Sequence, residues 1–204
     1  MGVRNFRSIS VFLLVFSSSV FGQHLFSFGV KGGFPLTDPL SDTNFAGIDT
    51  DMHVFSGSKN YLIGPTIELK LPLGLAVEFD ALYRPFALTT DTLVLPKNLT
   101  RRSSVDIGTM EFPILLKAHI LRAPVVKPYV EAGPIFRYVA SRVTYLSNRG
   151  IALGAGVDFK LLPVRISPEI RYSHWAQDAS SPARNVSLPA SNQNQAEFLI
   201  GLSF

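Results

Sequence analysis

Eight stretches of this chain alternate with a period of two, and in each the charges fall almost entirely on one side. The stretches lie near residues 24–32, 60–70, 74–85, 105–119, 128–140, 150–161, 164–176 and 195–204, with no competing helical periodicity between them. Successive side chains of an extended strand point to opposite faces, so the alternation sorts them into two sets. One set holds Lys31, Glu68, Lys70, Glu78, Asp80, Arg84, Glu111, Lys117, Glu131, Arg137, Asp158, Lys160, Arg165, Glu169, Arg171 and Glu197. The other holds bulky apolar residues such as Phe26, Phe28, Val30, Ile63, Ile67, Val77, Phe79, Phe112, Ile114, Leu116, Ile151, Leu153, Phe159, Ile166 and Ile170. Asp106 is the exception, at the mouth of the fourth stretch, where a rim charge is tolerable.

Such a two-faced sheet closes in one of two senses. A soluble carrier barrel puts the apolar set inside; an inverted barrel puts the charges inside. Three features favour inversion. The charged faces also carry Gly29, Gly64, Gly133, Gly154, Gly156 and Gly201, small residues that suit a narrow bore. They hold 8 bases and 8 acids, a balance that groups desolvated together require. The apolar set is also too large for the inside of an eight-stranded barrel, which side chains only just fill. Lipid is its natural solvent. The expected fold is all-β, an eight-stranded antiparallel up-and-down transmembrane β-barrel.

The connections agree. They run long (Gly33 to Lys59), tight (Leu71 to Leu73), long (Ala87 to Ser104), short (Leu121 to Lys127), medium (Ser141 to Arg149), tight (Leu162 to Pro163) and long (Gln177 to Asn194). An up-and-down barrel gives this rhythm when one rim faces outside and the other the periplasm, with both ends on the periplasmic side. Phe28, Tyr61, Tyr83, Tyr138, Tyr172 and Trp175 fit interfacial girdles. Pro65, Pro113, Pro134 and Pro168 sit awkwardly inside strands, where each removes a ladder donor, and bulges or rims are their expected places.

The amino-terminal segment supplies a compartment. Arg4 and Arg7 precede the apolar run Ile9 to Phe16, then a serine-rich stretch ends in Val20-Phe21-Gly22. That pattern reads as a secretory signal peptide over 1–22, too short to span a bilayer as a helix, with the barrel domain over 23–204. Without Arg4 and Arg7 the chain carries 17 bases against 15 acids, too small an excess to point to nucleic acid. Cysteine is absent, so export brings no disulfides. The final stretch places Phe198, Ile200, Leu202 and Phe204 on one wholly apolar face and ends on an aromatic side chain. It looks like the closing strand of an outer-membrane barrel, carrying the insertion signal for the barrel-assembly machinery.

Two segments carry a family resemblance. Met110-Glu111-Phe112-Pro113-Ile114-Leu115-Leu116-Lys117 and Lys127-Pro128-Tyr129-Val130-Glu131-Ala132-Gly133-Pro134 resemble consecutive strands of the PorT-like outer-membrane β-barrel domain family. The resemblance implies fold and location, and it brings no shared catalytic residues with it.

Chemistry is sparse. His24, His53, His119 and His174 show no zinc-type spacing. Ser173, His174 and Glu169 invite comparison with lipid-hydrolysing barrels, but Ser173 and His174 point to opposite faces of one strand. Asp38, Asp42, Asp49, Asp51 and His53 share the first long loop, where a solvated loop outweighs a cation site. Gly154-Ala155-Gly156 is a strand glycine pair with no nucleotide fingerprint around it. The expectation is therefore a non-enzymatic outer-membrane protein without cofactor or metal. Its closed, charge-paired interior leaves outer-membrane lipid, lipopolysaccharide or a loop partner as the contacts. A small-solute channel and a lipid-modifying enzyme are the rivals.

Overall fold

The computed structural model describes residues 25–39, 43–46, 50–58, 61–94, 99–121, 125–139, 146–161, 163–176 and 192–204. The expected signal segment lies outside the described residues.

A transmembrane sheet cannot leave an edge in hydrocarbon, where no water satisfies its N–H and C=O groups. The chain meets that demand through its first strand. β1 (Phe26–Pro35) is hydrogen-bonded on both sides, to β4 (Leu62–Lys70) and to the last strand, β11 (Asn194–Ser203). Between them run β5 (Leu75–Asp80), β6 (Leu82–Val94), β7 (Leu99–His119), β8 (Val126–Val139), β9 (Arg149–Leu161) and β10 (Val164–Trp175). Every neighbouring pair is antiparallel. β5 and β6 form one long strand interrupted at Ala81, because the register against β7 continues unchanged from Phe79↔Ile114 to Leu82↔Glu111. The result is a closed eight-stranded antiparallel barrel. At one mouth the chain turns tightly, with Leu73 and Gly74 at positive φ in the Pro72–Gly74 turn.

Beyond the other mouth the strands run further than expected. The loop expected over Ala87 to Ser104 is mostly ladder, paired as far as Val94↔Leu99. The loop expected over Gly33 to Lys59 contains β2 (Thr43–Ala46) and β3 (Thr50–Ser58), and β3 extends the sheet along β6. Thr89, Thr90, Thr92, Thr100, Ser103 and Ser104 explain the misreading: they favour or tolerate strand while lacking the apolar alternation that marks a half-buried one. Across this flange Arg102 forks onto Asp91 with two contacts of 2.7 Å and holds its carboxyl below the usual carboxylate range.

The prolines also depart from expectation. Each lies where two ladder pairs are missing on one side, yet the register on either side of the gap is the same, so no bulge is present. Thr66↔Asp80 and Ile63↔Tyr83 flank Pro65; Pro113↔Ile135 and Leu116↔Ala132 flank Pro134; Ile166↔Phe159 and Glu169↔Gly156 flank Pro168. Pro113 sits in the gap between β7 and the β5–β6 strand. Gly64 and Gly133, each preceding a proline, let the neighbouring backbone approach closely: an added Cβ would meet Ala81 O at 1.8 Å or Ile114 O at 2.0 Å.

The outer wall is apolar. Phe28, Val30, Ile63, Ile114, Leu116, Phe136, Ile151, Leu153, Ile170 and Leu202 are all exposed on it. Tyr83 and Tyr138 flank Met110 in one row and fit a girdle. Trp175 does not: it is fully buried in the bore.

Ile114 lies midway along the wall. Ile114→Arg is expected to destabilise the barrel in vesicles by about 2–4 kcal/mol, and Leu121→Arg at the turn by about 0–1 kcal/mol. Urea titrations of the two variants measure the difference.

Candidate functional site

The bore is packed with ions. Burying a charge is costly unless it is paired with an opposite charge and hydrogen-bonded, so the strands bring acids and bases to one another in layers. Nearest the flange, Arg137 Nε and Nη2 donate to Glu111 Oε1 at 3.1 and 2.8 Å, while Arg137 lies 3.7 Å over the Trp175 ring. Arg84 donates to Glu197 at 3.1 Å, to Gln195 at 2.9 Å and to the Thr37 carbonyl at 2.8 Å.

In the middle layer Arg171 donates to Glu169 at 2.8 Å, Asp80 at 2.9 Å and Glu131 at 3.2 Å. Its planar fork can serve several carboxylates at once, which a lysine cannot do with the same geometry. Lys31 bridges Glu78 and Glu169, and Tyr129 Oη donates to Glu169 at 3.2 Å. Lys117 pairs with Glu78 and Glu68 and sits 4.1 Å over the Tyr129 ring. Gly154 and Gly156 make this layer possible. A Cβ at Gly154 would lie 2.7 Å from Glu131 Oε1, and one at Gly156 would lie 2.5 Å from Tyr129 Oη.

Toward the short-turn mouth, Arg165 donates to Glu68 at 2.7 Å, and His119 Nε2 lies 2.9 Å from Asp158. At the opposite end Phe86, Ile107 and Leu146 form an apolar cluster. Leu146 comes from the β8–β9 connection, so a loop residue helps fill that mouth.

Of the residues named from parity, Glu68, Glu78, Asp80, Arg84, Glu111, Lys117, Glu131, Arg137, Asp158, Glu169 and Arg171 are brought together in the buried bore, with Lys31 and Glu197. Lys70 is half-buried and Lys160 exposed, which corrects their expected place in the enclosed network. They occupy strand ends, where the bore opens to water. The expected balance shifts with them: 8 acids are buried against 5 bases, and Arg165 is partly exposed at the mouth. Gln195, Tyr129 and Trp175 join the network without having been assigned to it. Parity alone would have found them, since each shares the face of Glu197, Glu131 or Arg171.

Phe198, Ile200 and Leu202 share the outer face of β11, with Phe204 one residue past its end, and the Phe198 ring packs 5.3 Å from Phe34 on β1. Ser173 is buried while His174 faces out and contacts Asn194 at 2.9 Å, so with Glu169 held by Lys31 and Arg171 no catalytic set converges. Asp42 and Asp49 lie outside the described residues. Glu78, Glu131 and Glu169 are the one trio among the described residues with oxygens close enough for a metal, within 4.8 Å. Lys31, Lys117 and Arg171 already occupy that place as counter-ions.

A family model described as outer membrane protein β-barrel domain matches residues 16–174. Among solved structures, the outer membrane protein OprG from Pseudomonas aeruginosa is similar at 18% identity and TM-score 0.53, over 87% of this chain and 95% of that one. Neisserial surface protein A is similar at 14% identity and TM-score 0.38, over 87% and 95%. No curated protein sequence matches the chain.

Arg171 is the cation that the middle layer can least spare. Arg171→Met, similar in length but uncharged, leaves Asp80, Glu131 and Glu169 short of a counter-ion and is expected to cost about 3–5 kcal/mol. Urea unfolding in vesicles measures it.

Proposed function

Because the chain belongs to the outer membrane protein β-barrel domain family, we propose that this outer-membrane protein is a closed barrel with no enzyme activity. Its role is structural or surface-interacting. The observation that carries the reading is the filled bore: Arg84, Glu111, Arg137 and Gln195 cross-link opposite strands below the Phe86, Ile107 and Leu146 cluster. Contacts with lipopolysaccharide or a partner then fall to the flange of β2, β3, β6 and β7, which reaches past the girdle. In the same reading the apolar face of Phe198, Ile200, Leu202 and Phe204 is the strand that the assembly machinery recognises before β11 closes on β1.

Conductance in planar bilayers tests the closed bore. The wild-type protein is expected to give no steady channels of porin size, whereas Glu111→Lys, which sets three cations together, is expected to loosen the layer and produce openings. Steady porin-sized channels from the wild type would overturn the proposal and favour a small-solute channel.

A further inference from the structure

Each of the eight barrel strands presents one last inward-facing residue at the short-turn mouth. Five of these are bases: Lys70, His119, Lys127, Lys160 and Arg165. The other three are two serines and an alanine, and none is an acid. All eight line one cavity of about 270 Å³.

The acids at its floor are already taken. Glu68 is held by Arg165 at 2.7 Å and by Lys117 at 3.4 Å. Asp158 accepts from Ser167 at 2.6 Å and lies 2.9 Å from His119. Lys70, Lys127 and Lys160 make no ion pair among the described residues, yet Arg165, Lys160 and Lys127 all lie within electrostatic reach of Lys70, against the single acid Glu68. Like charges gathered around the open mouth repel one another, and an anion entering it relieves the repulsion.

We propose that this periplasm-facing mouth is a binding site for a phosphate-bearing anion, taken up among the Lys70, Lys127 and Lys160 ammonium groups with Arg165 behind them. Three uncommitted ammonium groups suit a dianion better than a single carboxylate, and charge-assisted bonds to phosphate oxygens are the strong kind. The cavity accepts a soluble phosphate ester, or the headgroup of a phospholipid from the inner leaflet.

Calorimetry on the full barrel in a zwitterionic detergent, at low ionic strength, with inorganic phosphate and glycerol phosphate as probes, tests the site. Saturable binding is expected, weakened by about tenfold in Lys70→Gln/Lys160→Gln and unaltered by Arg102→Gln on the flange. Unaltered heat-modifiable migration in gels would show that the double variant is folded. Absence of saturable heat up to about 10 mM, or equal binding by the double variant, overturns the proposal. Repeating the titration in nanodiscs identifies the source. Loss of phosphate binding in phosphatidylglycerol discs, but not in phosphatidylcholine discs, assigns the site to a lipid headgroup. Equal binding in both assigns it to a soluble ester.

Discussion

The structure depends on one exchange of solvents: hydrocarbon outside the sheet and ions within it. Once the apolar faces meet lipid, every backbone donor must find its partner in the sheet, which forces closure of β1 against both β4 and β11. Once closed, the barrel has a bore only wide enough for side chains. The charged faces then have nowhere to go but toward each other. Glycines on those faces follow from the same crowding, because Glu131 and Tyr129 occupy the space that a side chain at 154 or 156 would need.

Buried ion pairs add little net stability when their desolvation is counted, but removing one partner is costly. A bore built this way is consequently specific more than strong. Arg171 meets four carboxylates from two other strands and its own, so a strand that slipped by one residue would turn its charges into lipid. The network thereby fixes register in a sheet whose ladder is broken beside four prolines. Continuity of register across each gap fits that role, since the side chains on both flanks stay in phase.

Much of this was legible in the primary structure, for a simple reason: period two is local, and a face that must meet lipid shows up residue by residue. The strand assignments of the membrane-spanning part, the inward set from Lys31 to Glu197 and the tight turns at Pro72 and Pro163 all follow from that signal. What escaped was set by features with no such periodicity. In the flange Thr89 to Thr92 of β6 pair with Arg101 to Ser104 of β7, a polar stretch without apolar alternation, so Thr89 to Thr92 read as loop. Trp175 read as a girdle residue from its place near a strand end, although its parity with Arg171 sends it inward beneath Arg137. The gathering of bases at one mouth depends on strand stagger, which one strand at a time does not reveal.

The sense of the barrel is the central claim, and spin-label accessibility along β7 tests it most directly. The chain has no cysteine, so single cysteines at successive positions from Met110 to Lys117 report without background. In lipid vesicles the account predicts oxygen-rich labels at Met110, Phe112, Ile114 and Leu116, alternating with immobile, oxygen-poor labels at Glu111, Pro113, Leu115 and Lys117. The opposite phase, with labels at Glu111 and Lys117 freely accessible and those at Ile114 and Leu116 enclosed, would contradict it.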